Sequence, residues 1–258
     1  MDGILGNEEK PSMIARLFRF NTAKERTLPM ICLGGPADEL VLLSQRHPWA
    51  RWNLVRNPFG ELTRGQRASL AVLDEWESLE SFTRQRHAVQ FIGDCGRGKS
   101  TRLISLQSRL PESVYVYLAE DAPVPALPVA APLIIDEAQR LNRAAMKCVF
   151  NSGVPLILGT HKDLSRRLRK HGYNVVTYAI GEQNTPSLIR RVLNRRIEDA
   201  RFGEGDIPFI SEADAEQLSR RFGTDIRAIE GYLYETWQRK IANFGATHPQ
   251  PKEKTQAT

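Results

Sequence analysis

With 258 residues, 41% hydrophobic and 26% charged, the chain has the composition of a globular protein, which excludes disorder over most of its length and allows one large core plus a small second domain. Its 36 Lys and Arg against 30 Asp and Glu leave a net charge of +6, which weakly favours an acidic partner such as a nucleotide or a nucleic acid. Three cysteines lie far apart in the sequence, which argues against a disulfide framework and a zinc site. The sequence shows no apolar leader and no apolar run near the roughly 18 residues that a membrane span needs, which argues against export and a membrane anchor. Together these features predict a cytoplasmic protein.

Residues 1–47 are predicted to be an N-terminal extension that mixes Gly, Pro and charge. Within it a strand is predicted near Leu28–Leu33 and a short helix over Ala37–Gln45. The next segment reads HPWARWNLVRNPFGELT. Its prolines, its two tryptophans and Phe59 predict an apolar linker that lies against the core, with packing as its role.

A helix is predicted from Glu61 to Phe82. Large apolar residues recur there at helical spacing and would form one core face: Leu62, Leu70, Leu73, Trp76 and Leu79. Thr63, which directly follows Leu62, belongs to a residue type that caps helices. The pattern indicates a core face and carries no function of its own.

From residue 87 onward, apolar runs alternate with polar or helical stretches, the runs being 87–92, 114–118, 132–135, 155–158 and 175–180. Such alternation predicts an α/β fold with a parallel five-stranded sheet flanked by helices. Residues 119–131 are rich in proline where a crossover helix would be expected, so this crossover is predicted to be poor in helix.

After Glu182 the pattern predicts helices alone, over 187–202, 212–222 and 226 to about 244, which would form a small C-terminal helical lid. A polar tail follows and is predicted to be disordered. The predicted domains are therefore an N-terminal extension (1–47), an α/β core (48–182), a helical lid (183–244) and a tail (245–258).

The sequence FIGDCGRGKST contains the pattern G-x-x-x-x-G-K-[ST], after an apolar strand and before the helix-like TRLISLQSRL. Its backbone N–H groups would point at the phosphates of ATP, Lys99 would reach the β- and γ-phosphates, and Ser100 would bind Mg²⁺. Cys95 allows two interpretations, a redox-sensitive thiol or a small residue that fits the loop. The predicted ATP-binding residues are Gly93, Asp94, Cys95, Gly96, Arg97, Gly98, Lys99, Ser100 and Thr101.

Farther on, APLIIDEAQRL is an apolar strand that ends in two adjacent carboxylates. Asp136 is predicted as the second metal-site residue, holding a metal-bound water beneath the phosphates. Glu137 is predicted to orient and deprotonate the attacking water, work that needs a carboxylate within hydrogen-bond reach. The alternative is that both are solvated acids that cap the next helix.

The P-loop, LIIDEAQ and the later LILGTH strand together resemble the AAA+ ATPase superfamily. The resemblance implies ATP and Mg²⁺ as cofactors and two further catalytic positions. Thr160, at the end of PLILGT, matches sensor 1, whose hydroxyl would hold the lytic water or the γ-phosphate. Arg227, in GTDIRAIEGYL, matches the lid arginine called sensor 2. A plain strand-end residue and a surface arginine are the respective alternatives.

Within that superfamily, DEAQ and NPFGELT look most similar to the bacterial ATPases related to transposition regulators and to the type II secretion ATPase. Two features depart from the secretion member. The crossover before LIID is short and proline-rich, and the chain has no membrane helix or peptidoglycan-binding extension.

Basic residues accumulate between His161 and Phe202, above all in SRRLRKHG and LIRRVLNRRIEDAR. In ring-forming members of the superfamily an arginine enters the neighbour's ATP site, and the resemblance implies Arg166, Arg167 or Arg169 for this role in a homo-oligomer. Contact with nucleic acid and a solvated basic face are the other interpretations.

The function predicted from these motifs is Mg-dependent binding and hydrolysis of ATP, coupled to self-assembly or to binding of a protein or nucleic-acid partner. Two alternatives stand beside it. One is an ATP-binding switch or adaptor that does not hydrolyse, and the other is a DNA-binding regulator whose assembly ATP tunes.

Overall fold

The structure is a computed structural model that describes residues 19–20, 47–73, 82–182 and 184–246. Its strands in chain order are β1 (Arg19–Phe20), β2 (His87–Ile92), β3 (Val114–Tyr117), β4 (Leu133–Asp136), β5 (Leu156–Thr160), β6 (Asn174–Ala179) and β7 (Pro208–Phe209). Its α-helices are α1 (Arg64–Ser69), α2 (Lys99–Arg109), α3 (Arg143–Ser152), α4 (Ser165–Lys170), α5 (Pro186–Asp199), α6 (Glu212–Phe222) and α7 (Ile226–Ala246). Short 3₁₀ helices lie at Pro48–Trp52 and Ala138–Arg140. Among the described helices, none combines the length and the apolar composition needed to cross a bilayer.

The contacts divide the chain into two compact units. The sheet unit comprises Glu61–Val192 and Ala215–Ile229, and the tryptophan unit comprises Met1–Gly60, Leu193–Asp214 and Glu230–Thr258. The phosphate-loop motif and the Asp136–Glu137 pair both lie in the sheet unit. The four domains predicted from the sequence remain a prediction.

The sheet unit is built on five parallel strands in the order β3-β4-β5-β2-β6. The predicted α/β class with a parallel five-stranded sheet is therefore confirmed. β4 and β5 are buried along their whole length, as expected for parallel strands with helices on both faces. β2, which leads into the phosphate loop, lies between β5 and β6, so the loop leaves the sheet beside the ends of both strands.

Alternate residues of the central strands face opposite sides of the sheet and belong to two separate apolar clusters. Leu158 of β5 belongs to the cluster of Phe150 in α3 and Leu168 in α4. Its neighbour Ile157 belongs to the cluster of Leu103 in α2. One face is therefore covered by α2 and the other by α3 and α4, so any residue of these strands can be assigned a face by its parity.

The connection between β3 and β4 contains no helix at any of its residues 118–132, which confirms the prediction from its proline content. Val124 and Leu127 of this connection pack against the core instead. The helices predicted after Glu182 are confirmed as α5, α6 and α7. α5 ends at Asp199 rather than at Phe202, because residues 200–202 pair with residues 53–55 in an extended bridge.

The helix predicted from Glu61 to Phe82 is wrong in its extent. α1 ends at Ser69, and residues 71–73 are not helical. α1 buries none of its own residues, and a capping box between Thr63 and Gln66 holds this short helix. Residues 74–81 lie outside the described residues, as do the strand and helix predicted at 28–33 and 37–45, Gln183, and the residues from 247 onward.

The tryptophan unit packs aromatic rings edge to face. Trp237 of α7 lies 5.4 Å from Trp52 and 5.0 Å from Phe59 between ring centroids. Trp52 also contacts Trp49 at 5.7 Å. Burial of such rings supplies much of the apolar stabilisation of a small unit. The packing role predicted for the HPWARWNLVRNPF segment is thus what the structure describes.

Arg196 of α5 organises the NPFG segment of this unit. The residue is 5% exposed, and its Nε donates to the carbonyl oxygen of Pro58 at 2.9 Å. Its guanidinium also donates to the carbonyl oxygen of Gly60 and forms an ion pair with Glu230 at 2.5 Å. Buried charges are tolerated when they are paired and hydrogen-bonded in this way. One arginine of the basic stretch is therefore part of the scaffold.

Candidate functional site

The predicted phosphate loop joins the end of β2 to the start of α2. β2 ends at Ile92, and α2 begins at Lys99 with Gly98 at its N-cap. Gly98 has a φ of +97° and Gly96 a φ of +78°, a left-handed conformation that residues with a Cβ rarely adopt. The N-terminus of α2 has no side-chain cap. Its first N–H groups are thus available to an anion, which is the arrangement that attracts phosphate oxygens.

Lys99 is buried beneath this loop. Its Nζ donates to the carbonyl oxygens of Gly93 at 2.6 Å and Asp94 at 2.9 Å, and lies 3.3 Å from Nε2 of His161. Burial lowers the pKa of the Lys99 ammonium, and the nearby charge of Glu137 is the largest effect that opposes this. The ammonium is therefore held by neutral carbonyl oxygens in a place where its charge is disfavoured.

Asp136 ends β4 and is 1% exposed. Its Oδ1 accepts from the backbone N–H of Glu137 at 3.0 Å, and its Oδ2 accepts from the hydroxyl of Tyr115 at 2.8 Å. A Cβ on Gly159 of β5 would lie 2.6 Å from Oδ1, so the missing side chain there makes room for the carboxylate. Asp136 is thus fixed by two donors that leave a second lone pair on each oxygen.

Glu137 adopts a left-handed backbone conformation, with φ of +62° and ψ of +39°. A non-glycine residue in this region costs about 1–3 kcal/mol and often marks a functional site. Its Oε2 accepts from Nε2 of Gln139 at 2.6 Å and lies 3.6 Å from Nη2 of Arg140. Oε1 of Gln139 accepts from the backbone N–H of His161 at 3.1 Å. Gln139 thereby ties the carboxylate to the chain after β5.

His161 is a site residue that the sequence interpretation missed. Its Nε2 lies 3.3 Å from Nζ of Lys99 and 3.4 Å from Oε2 of Glu137. A neutral Nε2 can accept from Lys99, and a protonated one can donate to Glu137, so the nitrogen serves one of the two at a time. His161 therefore lies between the phosphate-loop lysine and the acid after β4.

Thr160 was the residue predicted for the sensor 1 role, but in the structure its hydroxyl bonds to the backbone of Lys162. Its Oγ1 donates to the carbonyl oxygen of Lys162 at 2.8 Å and accepts from the N–H of the same residue at 3.0 Å. Thr160 is fully buried and shares the parity of Leu158, on the α3 and α4 face. His161 has the parity of Ile157, on the α2 face. Strand alternation counted from the apolar residues is the signal that would have found it.

The remaining loop residues differ in exposure. Asp94 and Cys95 are exposed, while Ser100 and Thr101 on the first turn of α2 are half-buried. Sγ of Cys95 lies 3.8 Å from Nε2 of His161. Ser100 and Asp136 supply oxygen donors, the kind that Mg²⁺ prefers, and a bound Mg²⁺ takes most of its other ligands from water and phosphate. The donor chemistry therefore fits Mg²⁺.

The turn between α6 and α7 packs on the phosphate loop within the sheet unit. A Cβ on Gly96 would lie 2.1 Å from Oδ1 of Asp225, so the two touch. Arg97 donates from its guanidinium to the hydroxyl of Thr224. Nδ2 of Asn184 donates to the carbonyl oxygens of Arg97 at 3.1 Å and Thr224 at 3.0 Å. These contacts join the loop to the start of α7.

The predicted arginines lie on two helices. Arg227 is exposed on the first turn of α7, two residues beyond Asp225. Arg166, Arg167 and Arg169 are exposed on α4, where Arg167 contacts the sulfur of Met146 at 3.3 Å. The structure thus brings Lys99, Asp136 and Glu137 into one region, sets Arg227 on a helix whose start contacts the loop, and leaves the α4 arginines on a surface.

Comparison with known proteins identifies similar solved structures at low similarity. A replication initiator, DnaA, bound to AMPPCP and single-stranded DNA has 13% identity and a TM-score of 0.43 over 64% of this chain and 62% of its own. A DNA replication initiation factor has 13% identity and 0.43 over 63% and 60%. The RuvB Holliday junction branch migration motor of Thermotoga maritima has 18% identity and 0.44 over 72% and 64%.

The chain thus spans a little under two thirds of each of these structures. No family model matches the sequence, and no curated protein matches it. The scores are too low to carry an argument about function. The parallel sheet and the strand–loop–helix unit define the class of fold, and the function has to be argued from the site.

Proposed function

We propose that the chain binds ATP with Mg²⁺ and hydrolyses it, as a P-loop ATPase of the AAA+ type. The observation that carries this proposal is the junction at His161, whose Nε2 lies 3.3 Å from Nζ of Lys99 and 3.4 Å from Oε2 of Glu137. His161 therefore contacts both the phosphate-loop lysine, Lys99, and the acid proposed to act on water, Glu137. A pair of solvated acids that merely cap a helix would not need this arrangement.

In this proposal the loop residues bind the triphosphate and Lys99 leaves its carbonyl partners for the β- and γ-phosphates. Ser100 would bind Mg²⁺ and Asp136 would hold a metal-bound water; when bound, the ion would offset the negative charge that develops on the phosphates. Asp136 is ready for this work because two donors already orient its carboxylate. The N-terminus of α2 adds its positive end to the same oxygens.

Glu137 accepts the proton as water attacks the γ-phosphorus and the bond to the ADP oxygen breaks. Gln139 donates to the Glu137 carboxylate at 2.6 Å, and Glu137 itself has a left-handed backbone conformation. We assign the sensor 1 role, contact with the attacking water, to His161. Thr160 is the position that the superfamily resemblance implies for this role. Arg227 is assigned to the γ-phosphate from α7.

Phosphate release by the purified full chain at saturating ATP and Mg²⁺ tests the proposal. Glu137→Gln should keep ATP bound and slow release by about 10²- to 10⁴-fold, the usual contribution of a general base. Glu120→Gln is the matched control, because Glu120 is a strongly exposed acid that also pairs with Arg140, at 3.1 Å. Binding without any release by the wild type would instead establish the switch or adaptor that does not hydrolyse.

A second candidate function is contact with a nucleic-acid backbone through the basic face of α3 and α4. The exposed basic residues of this face are Arg143, Lys147, Arg166, Arg167, Arg169 and Lys170. The two helices lie side by side, since Nδ1 of His171 contacts Oδ1 of Asn151 at 2.8 Å. Neither helix contains an acidic residue. Lys and Arg arranged in this way neutralise phosphates and release counterions.

Charge reversal on α3 separates this function from that of an arginine finger. Lys147→Glu with Arg143→Glu should weaken duplex DNA binding and reduce its salt dependence by about 0.9 in log–log slope for each lost phosphate contact, with ATP hydrolysis unchanged. Arg239→Glu, a change on an exposed part of α7, is the control. The arginine-finger alternative predicts that this charge reversal leaves DNA binding unaffected. Alanine variants of Arg166, Arg167 or Arg169 would then lower the rate of ATP hydrolysis by about 10³- to 10⁵-fold. Mixing such a variant with Glu137→Gln chains would restore hydrolysis, which would show that the basic face serves a neighbouring subunit.

A further inference from the structure

Tyr115 of β3 has no role in any motif, yet its hydroxyl is directed at the acid that ends β4. Tyr115 pairs in register with Ile134, so it stands on the same face of the sheet as Asp136. The hydroxyl donates to Oδ2 of Asp136 at 2.8 Å. Asp136 thus has a phenol donor that no sequence motif supplies.

A cation stands over the ring of this tyrosine. The guanidinium carbon of Arg64 in α1 lies 4.2 Å from the ring centroid, and its Nη2 donates to Oε1 of Gln107 in α2 at 2.5 Å. A cation on the face of a phenol withdraws electron density from it and makes the hydroxyl a stronger donor. A continuous chain of contacts thus runs from Gln107 through Arg64 and Tyr115 to the carboxylate of Asp136.

We propose that Tyr115 is the positioning residue for the magnesium site, holding the Asp136 carboxylate in one orientation, with Arg64 supporting it. The inference rests on the proposed ATP and Mg²⁺ function. Its logic is that of outer ligand partners in metal sites, where a group that orients a metal-binding carboxylate changes metal affinity without touching the metal. Oδ1 is already fixed by the N–H of Glu137, so the Tyr115 hydroxyl is the donor that sets the second oxygen.

The test is a Mg²⁺ titration of the binding of a fluorescent, non-hydrolysable ATP analogue to the full chain. Tyr115→Phe should raise the Mg²⁺ concentration for half-maximal binding by about 10- to 100-fold, the usual effect of removing such a partner. Binding of the analogue in EDTA should not change, because the phosphate loop is intact. Arg64→Met should move the half-point in the same direction by a smaller factor.

Tyr117→Phe is the matched control. It removes a hydroxyl from the same strand and face, but that hydroxyl lies 3.5 Å from Arg140 and Tyr117 is 55% exposed. The inference is overturned if Tyr115→Phe needs the same Mg²⁺ concentration for half-maximal binding (the half-point) as the wild type. It is also overturned if Tyr117→Phe shifts the half-point as much as Tyr115→Phe does. If Tyr115→Phe does not fold, an unchanged half-point in Arg64→Met overturns it. A wild type that binds no analogue, or binds it without regard to Mg²⁺, overturns the proposed function instead.

Discussion

Lys99 and Arg196 are buried to the same extent, each 5% exposed, but they are held in different ways. Arg196 of the tryptophan unit has an ionic partner, Glu230, at 2.5 Å, and donates to the carbonyl oxygen of Pro58 at 2.9 Å. Lys99 of the sheet unit donates to two carbonyl oxygens of its own loop, the nearer being that of Gly93 at 2.6 Å. The two cations are thus equally buried, but Arg196 is paired with a carboxylate and Lys99 is held by neutral oxygens.

The difference separates a cation that holds the fold from one that is available to a ligand. A buried cation paired with a carboxylate is part of the scaffold, since breaking the pair leaves the other charge buried. A buried ammonium held by neutral oxygens, whose pKa burial lowers, gains when an anion arrives. The partner of a buried charge, rather than its burial, therefore indicates which role it has.

The largest expected effect is on stability in the tryptophan unit. Arg196→Met should lower the free energy of unfolding by about 3–5 kcal/mol, because it leaves Glu230 without its cation and the carbonyl oxygen of Pro58 without its donor. Urea denaturation followed by tryptophan fluorescence measures this. Arg195→Met, an exposed neighbour on α5, is the control. A loss no larger than that of the control would remove Arg196 from the scaffold and end the contrast with Lys99.

The converse effect is expected in the sheet unit. Lys99→Met should weaken binding of ATP with Mg²⁺ by about 2–5 kcal/mol, the range for removing one member of a buried charge pair. The free energy of unfolding should stay the same or rise, because burial of the ammonium opposes folding. Equilibrium binding and urea denaturation on one preparation give both quantities, with the exposed Lys162→Met as control. Unchanged affinity would refute the phosphate-loop assignment, and a loss of stability like that expected for Arg196→Met would make Lys99 structural.

The sheet, the phosphate loop and the Asp136–Glu137 pair could be predicted because each is written in consecutive residues. An apolar strand, a glycine-rich turn and a helix start leave a local pattern, and parallel strands then bring their carboxyl ends together. Tertiary partners leave no such pattern. In the sequence LNRRIED nothing distinguishes Arg196 from Arg195, because its partners Pro58 and Glu230 lie in distant parts of the chain.

The helix predicted over Glu61–Phe82 is wrong in its extent, whereas Thr160 as sensor 1 stays a prediction. None of the five apolar stripe residues lies inside α1, which a capping box holds instead. Thr160 was chosen by its place at the end of a strand, whereas its parity puts it on the face of Leu158 and puts His161 on the face of α2. Tyr115 carried no signal at all, since VYVY is an ordinary strand sequence.

The smallest expected effect extends the contrast to an acid that belongs to the scaffold. Oδ1 of Asp163 accepts from the N–H of Ser165 at 2.8 Å and from Nε2 of the buried Gln90 at 2.7 Å, which fixes the start of α4 on β2. Hydrogen bonds from Ser165, and then that from Gln90, lower the pKa of Asp163. Because the pKa is lower in the folded chain than in the unfolded one, the stabilisation is fully present above about pH 4 and is lost as the pH falls through the folded value.

Asp163→Asn should therefore cost about 0.5–1.5 kcal/mol at neutral pH, toward the lower end because water reaches the exposed side of the carboxylate. The difference from the wild type should shrink below about pH 4, where the wild-type carboxylate also becomes neutral. Urea denaturation across this range measures the difference, with Asp121→Asn in the exposed crossover as the control for a carboxylate outside the cluster. ATP affinity should not change, since Asp163 binds the scaffold as Arg196 does. A difference that stays constant down to about pH 3 would mean that Gln90 and Ser165 hold the amide as well as they hold the charge, and that this cluster stabilises α4 by shape rather than by ionisation.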